Sequence, residues 1–189
     1  MSTRIFGSGI KRREDPRLIT GKAKYTDDIK LPGTLHMAIL RSPYAHANIK
    51  SVDTSAAEAM DGVIAVYTGA DVEMSIPTAW LVPDCDLKTV AHPALAKDKV
   101  RYVGDAVAIV VAENRYIAED ATEKIAVDYD VLDAVIDPEE AAQDGAPQLH
   151  DDAPNNIALN WVMGDREASD KVFADADVVV EERIVQQRL

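Results

Sequence analysis

Side chains that commonly carry enzyme chemistry are sparse in this sequence. It has a single cysteine, Cys85, and four histidines: His36, His46, His92 and His150. No two of the histidines are four residues apart, the spacing that places two metal ligands on one helix face. One cysteine cannot form an internal disulfide or a thiolate cluster. Asp84 and Asp86 flank Cys85 and disfavour a reactive thiolate, so we expect an inert thiol.

The familiar short motifs of catalysis and nucleotide binding are also missing. The sequence contains no GxGxxG, P-loop or HExxH pattern, and no GxSxG nucleophile motif. Paired carboxylates such as Asp27-Asp28 and Glu181-Glu182 are common in an acidic chain and do not identify an acid–base pair. Residue types and spacing therefore give no catalytic residue and no metal ligand. A His/Asp/Glu site assembled from distant positions stays open.

Composition and charge narrow the class of protein. The 189 residues are 47% hydrophobic and 28% charged, which is typical of one globular domain or two small ones. The net charge of −13 disfavours general nucleic-acid binding, because an acidic body repels phosphates. The longest apolar run, 106–112, is too short for a transmembrane segment, and residues 1–9 lack an apolar signal core. We therefore expect a cytoplasmic protein.

The charge is distributed unevenly along the chain. Residues 1–50 carry 10 basic and 4 acidic side chains, whereas residues 51–189 carry 10 basic and 29 acidic ones. We interpret residues 1–17 as a basic N-terminal arm, with Pro16 near its end. The arm could lie on an acidic partner or on the acidic remainder of the chain, or it could be solvated.

Hydrophobic patterning predicts mixed strands and helices, an α+β protein. We predict strands over 34–40, 63–68, 100–103, 106–112, 126–131, 157–163 and 178–185. Helices are predicted after Ser55, which forms a capping box with Glu58, over 115–124 behind the N-cap Asn114, and over 166–174. The succession of strand, helix and strand over 106–131 resembles a βαβ unit. The apolar run at 106–112 predicts a strand that is buried on both faces.

Two segments do not fit this pattern. Residues 73–93 form a long stretch without periodicity, and such segments are usually functional or disordered. The sequence ends inside the last predicted strand without a turn or a cap, so we expect it to be a fragment of a longer protein.

Several segments together resemble the molybdenum-binding large subunit of the molybdenum hydroxylases, the family of xanthine dehydrogenase, aldehyde oxidase and aerobic carbon monoxide dehydrogenase. The segments occur in the order found in that family. They are KRREDPRL (11–18), YTDDI (25–29), LRSPYAHA (40–47), RYVGDAVA (101–108), VDYDVL (127–132) and ADVVVE (176–181).

The resemblance implies an α/β hammerhead domain followed by the start of a molybdopterin-binding domain. The implied organisation is a basic arm at 1–17, a hammerhead domain at 18–131, a linker at 132–156 and the incomplete beginning of the molybdopterin-binding domain at 157–189. The family's glycine-rich molybdopterin loops and its glutamate base belong to later parts of the subunit. The resemblance thus implies that this chain alone binds no cofactor or metal, contains no catalytic residue and is inactive.

The resemblance also implies a chemistry for the complete enzyme. Members of the family hydroxylate a carbon atom of an aldehyde, purine, N-heterocycle or carbon monoxide with oxygen derived from water. The complete subunit carries molybdenum on a molybdopterin in its dinucleotide form, and partner subunits carry [2Fe–2S] clusters and FAD. The expected partners are therefore the rest of the large subunit, the iron–sulfur subunit and the FAD subunit. The substrate is not indicated.

Two sets of residues become candidates for a site. Trp80, Leu81 and Val82 could form apolar walls of a substrate funnel, although Trp80 could equally anchor its own loop on the core. Tyr102, Gly104 and Asp105 could face the active-site side. Alternatively, Gly104 simply permits a tight turn.

Two other function classes compete with the enzyme subunit. The chain could be a stand-alone binding or assembly module that uses the hammerhead fold, or a small independent enzyme with an unrecognised site. A reading frame that continues into glycine-rich loops would favour the subunit, a natural stop would favour the module, and turnover by this chain alone would favour the small enzyme.

Overall fold

The computed structural model describes residues 7–76, 87, 88, 90 and 92–186. These residues form two compact units, of which the first comprises the described parts of 1–74 and 93–133. The second comprises the described parts of 75–92 and 134–189. Helices and strands are both present, which confirms the predicted α+β class.

The first unit contains two three-stranded antiparallel sheets. One sheet has the order β1-β5-β3 and the other the order β4-β2-β6. The strands are β1 (His36–Arg41), β2 (Ala47–Asp53), β3 (Val63–Thr68), β4 (Lys99–Val100), β5 (Ala106–Ala112) and β6 (Ala126–Val131). The helices of this unit are α1 (Asp15–Ile19), α2 (Ser55–Glu58) and α3 (Arg115–Thr122), with a 3-10 turn at Thr26–Asp28.

β5 is the central strand of its sheet and is buried on both faces, as its apolar run predicts. Ala108 and Val110 pack on one side with residues of α2 and α3, and Val107 packs on the other side with residues of β2 and β4. Two partly buried valines, Val52 and Val127, border both clusters and so join the two sheets into one core.

α3 begins where the sequence predicts. The side-chain oxygen of Asn114 accepts a hydrogen bond from the backbone N–H of Ile117 at 3.0 Å, which caps the helix. Ala118 and Ala121 are fully buried, and the helix packs against β1 and β5. The helix ends at Thr122, two residues before the predicted end at Lys124.

The predicted βαβ unit is wrong. β5 and β6 flank α3 in the chain but belong to different sheets, and every strand pair in the two sheets is antiparallel. Succession along the chain does not determine which strands pair. Here β5 pairs with β1 and β3, whereas β6 pairs with β2.

The capping box predicted for Ser55 and Glu58 is also wrong. The N-cap of α2 is Thr54, and its hydroxyl donates to the Glu58 carboxylate at 2.6 Å rather than accepting from the helix backbone. Asp53 Oδ1 accepts from both the backbone N–H and the hydroxyl of Ser55, the first residue of α2. These hydrogen bonds lower the pKa of the Asp53 carboxyl, with the Ser55 hydroxyl as the larger cause.

β6 lies at an edge of its sheet, with one side unpaired. Its residues alternate, so that Val127 and Tyr129 are partly buried whereas Asp128 and Asp130 are exposed. Lys50 on the neighbouring β2 lies 3.6 Å from Asp130.

The second unit begins with a loop organised around one side chain. Asn156 donates from its amide to the carbonyls of Ala141 and Pro147, each at 2.9 Å, and accepts from the N–H of Leu149 at 2.8 Å. The loop contains α4 (Pro138–Ala141), which Asp137 caps, and a 3-10 turn at Pro154–Asn156. The hydrogen bonds of Asn156 therefore explain why the predicted linker, 132–156, contains a folded loop.

The rest of the second unit has little core of its own. α5 (Arg166–Ala174) forms over the predicted range, with Asp165 as its cap, but none of its residues is buried. Residues 157–163 and 178–185 contain no strand, so both strand predictions are wrong, and Phe173 and Val180 are 62% and 84% exposed. No helix in the described ranges is long and apolar enough to cross a membrane.

Gly69, at the end of β3, tests the packing of the first unit. A Cβ at this buried position would lie 2.5 Å from the carbonyl oxygen of Ala96 and 2.8 Å from Lys97 Cα, both backbone atoms. We expect Gly69→Ala to lower the free energy of unfolding by about 1–3 kcal/mol through overpacking, measured by urea denaturation. Gly9→Ala adds the same atom in open space and is the control. Equal stability of the two variants would contradict the packing.

Candidate functional site

Two loops that are far apart in the sequence meet beside the ends of β1 and β5. The backbone N–H of Ser42 donates to the carbonyl of Asp105, and the N–H of Gly104 donates back to the carbonyl of Ser42, both at 2.8 Å. We call Ser42–His46 and Arg101–Asp105, together with Tyr129, the loop junction. It unites the candidate turn residues with the RSPYAHA segment.

The turn before β5 is held by its own residues and by β1. The Asp105 carboxylate, on a residue only 8% exposed, accepts from the backbone N–H of Arg101 at 3.1 Å. The Arg41 guanidinium donates to the carbonyl of Gly104 at 2.8 Å. Gly104 has φ +93°, and a Cβ there would meet nothing within 4 Å. Glycine is thus needed for backbone conformation, as in the tight-turn alternative.

The other side of the loop junction contains an aromatic pair. The rings of Tyr44 and Tyr129 meet edge to face, with centroids 5.1 Å apart and an interplanar angle of 64°. The buried hydroxyl of Ser42 donates to the carbonyl of Tyr44 and accepts from its N–H. These two hydrogen bonds of the Ser42 hydroxyl therefore stabilise the loop after β1.

His46 is the most buried titratable side chain of the junction, at 4% exposure. Its Nδ1 lies 2.7 Å from the carbonyl oxygen of Asp133, and a carbonyl only accepts, so Nδ1 carries the proton. The His46 carbonyl accepts from the N–H of Leu132 at 3.0 Å. Nε2 is buried without a hydrogen-bond partner. His46 thus joins the junction to the end of β6.

Tyr102 and Tyr129, two of the three tyrosines of the junction, favour their neutral form. Partial burial, and then the Asp105 carboxylate, raise the pKa of Tyr102 above its ordinary value of 10.0, while the Arg41 guanidinium opposes the shift. Burial also raises the pKa of Tyr129, and its hydrogen bond with Ser42 opposes that shift. At neutral pH both hydroxyls keep their protons. Tyr102 is 46% exposed, and its hydroxyl hydrogen-bonds with the Asp105 carboxylate.

The junction can position groups but contains no arrangement for bond making. In the part of the chain that the structure describes, no three His, Cys, Asp or Glu side chains form a group that could hold a metal ion. The orphaned Nε2 of His46 has the right chemistry for a ligand but belongs to no such group. The described residues therefore do not fit a metal centre.

The structure brings together one set of candidate residues. Tyr102, Gly104 and Asp105 lie in the junction, whereas Trp80, Leu81 and Val82 lie outside the described residues, as does Cys85. Motif reading found the RSPYAHA segment but missed its contacts. Residues 42 and 105 are far apart in sequence, and their pairing depends on the register of β1 with β5.

Comparisons with known proteins agree on one family. Residues 20–133 match the model described as "Aldehyde oxidase and xanthine dehydrogenase, a/b hammerhead domain". The nicotine 6-hydroxylase large subunit of Paenarthrobacter nicotinovorans is 41% identical over 93% of this chain and 21% of its own length. The carbon monoxide dehydrogenase large chain of Hydrogenophaga pseudoflava is 41% identical over 94% of this chain and 23% of its own.

Solved structures show the same likeness. A Cu,Mo-CO dehydrogenase matches 91% of this chain with a TM-score of 0.75 and 39% identity. Quinoline 2-oxidoreductase from Pseudomonas putida 86 matches 92% with a TM-score of 0.72 and 42% identity. The chain spans only 23% and 22% of those two proteins.

Asp105→Asn tests the electrostatics of the loop junction. Asparagine can still accept from Arg101 but carries no charge, so we expect the pKa of Tyr102 to fall toward its ordinary value. Tyrosinate absorbance during an alkaline titration measures the shift, with Tyr102→Phe identifying the signal. The matched control is Asp61→Asn, at an exposed carboxylate. Equal titration curves for both asparagine variants would contradict the contact.

Proposed function

The chain belongs to the aldehyde oxidase and xanthine dehydrogenase hammerhead family, and we propose that it works as the N-terminal part of the catalytic subunit of a cytoplasmic molybdenum hydroxylase. The observation that carries the proposal is the family match over residues 20–133, which includes both loops of the junction. Relatives named for nicotine, carbon monoxide and xanthine share 41–42% identity with it.

The proposed reaction is hydroxylation of a carbon atom of an aldehyde, purine, N-heterocycle or carbon monoxide with water-derived oxygen. In the complete enzyme, molybdenum on a molybdopterin dinucleotide supplies the redox chemistry, and partner subunits with [2Fe–2S] clusters and FAD accept the electrons. The proposed share of this chain is structural, and we expect the chain alone to be inactive.

We also propose the domain limits 18–131 for the hammerhead domain, 132–156 for the linker and 157–189 for the start of the molybdopterin-binding domain. The exposure of the last segment supports this division. α5 has no buried residue, and Phe173 and Val180 are mostly exposed although both are apolar. Such a segment gains a core when further polypeptide covers it.

The function is tested on the complete subunit, expressed with its companion chains. We expect turnover of at least one substrate from the proposed classes in isotopically labelled water, with the label appearing in the product by mass spectrometry. The 189-residue chain alone is the control and should show neither turnover nor stoichiometric molybdenum. Label from dioxygen in the product, or turnover by the short chain, would contradict the proposal.

Trp80, Leu81 and Val82 are proposed as walls of the substrate funnel in the complete enzyme. Trp80→Ala should change the ratio of kcat/KM between a large and a small substrate by about tenfold, because a missing wall removes contacts from one of them selectively. Tyr116→Ala also removes an aromatic ring, at a 78% exposed position of α3 in the first unit, and should leave the ratio unchanged. A loss of stability with an unchanged ratio would mean that Trp80 only anchors its loop.

A further inference from the structure

We propose that a basic face near the N-terminus docks onto a carboxylate-rich surface of a companion subunit of the same enzyme. The face consists of Arg12, Arg17, Lys22, Lys24 and the ring of Tyr25. The inference rests on the proposed function, since relatives are named as large chains or subunits. It assigns the docking to specific side chains of this chain.

The backbone folds these cations onto one concave surface. The N–H groups of Lys22 and Ala23 both donate to the carbonyl of Arg17 at 2.9 Å. Gly21, with φ +67°, makes the reversal after α1 possible. The four cations and Tyr25 line a concavity of about 550 Å³ that is open to solvent, together with Glu14, Leu18 and Ala23. Residues 11–24 are thus a folded turn with a defined face, which the sequence alone describes only as an arm.

Acidic side chains neutralise the charge of this face only in part: Glu14 lines the same concavity, and the Asp28 carboxylate accepts from the backbone N–H of Tyr25. Residues 7–25 hold six Lys and Arg against Glu14 and Asp15, a net charge of +4. Arg12 pairs with Asp15 at 3.1 Å, within the same segment. Arg17, Lys22 and Lys24 are exposed and take part in no ion pair within the described ranges. Like charges held together in this way attract an acidic partner.

The face also has the composition of a protein interface. Tyr25 is 66% exposed, and Ile19, the last residue of α1, is 84% exposed. Arginine and tyrosine are enriched where proteins meet, because they combine apolar area with hydrogen-bond donors. A nucleic acid is a poorer fit, since residues 51–189 carry a net charge of −19 and repel an extended polyanion. A local acidic patch on a protein avoids that repulsion.

The test uses the complete large subunit and its purified companion subunits. In the triple variant, Arg17, Lys22 and Lys24 are each replaced by Glu. The control places Glu at three exposed lysines of the first unit outside the face, Lys50, Lys97 and Lys124, and makes the same total change in charge. We expect the face variant to raise the Kd for the companion subunits by at least about tenfold, and the control to change it by less than about threefold.

Two further measurements keep the result interpretable. In a second variant the same three cations are replaced by Gln, which removes the positive charges without adding negative ones. This variant should weaken binding by a smaller factor than the Glu variant. Circular dichroism verifies the folding of all variants. The affinity of the wild type should fall as salt rises, and that of the Gln variant should fall less steeply.

The outcomes separate the inference from the proposed function. If the wild type binds no companion subunit, the proposed function is overturned. If the wild type binds and the face variants bind equally well, or the control is weakened as much, the docking inference alone is overturned. Tighter binding of the wild type to a duplex DNA fragment than to the companion subunits also overturns it.

Discussion

Burial of β5 on both faces is the constraint from which the first unit is built. A strand with apolar residues on both sides needs cover above and below, and α2 and α3 cover one side while β2 and β4 cover the other. Its pairing with β1 also decides the position of the loops. The register shifts between Leu40 and Arg41, so that Arg41 stands opposite Ala106. Ser42 then meets Asp105, and the loop junction follows from the core.

The pairing of β1 with β5 holds the two loops of the loop junction in place. The hydrogen bonds of the junction connect two loops whose strands are already fixed side by side, and His46 extends the connection to the end of β6. Such a site suits the positioning of neighbouring polypeptide. It does not suit a moving lid, because each backbone contact would have to break together with its neighbours. This agrees with a structural share in a larger catalytic assembly.

The local sequence predicted the bounds of an element correctly where a single local signal marked that element. β3, β5, β6 and α5 have the predicted bounds, since apolar runs or a clear cap mark them. Predictions failed where the outcome depends on distant residues. The βαβ interpretation failed because strand partners are chosen by burial across the whole unit, and the strands predicted at 157–163 and 178–185 failed because apolar periodicity does not supply a partner strand. The family resemblance identified the motifs of the junction, but only the register of β1 and β5 shows that Ser42 and Asp105 touch.

The open edge of β6 has a consequence for self-association of the chain. An unpaired strand edge is a template onto which another chain can add, and that addition leads to aggregation. Asp128 and Asp130 place negative charge along this edge, and identical molecules approaching it in the same way would bring like charges together. The aspartates therefore disfavour fibre-like growth of this chain through the open edge of β6.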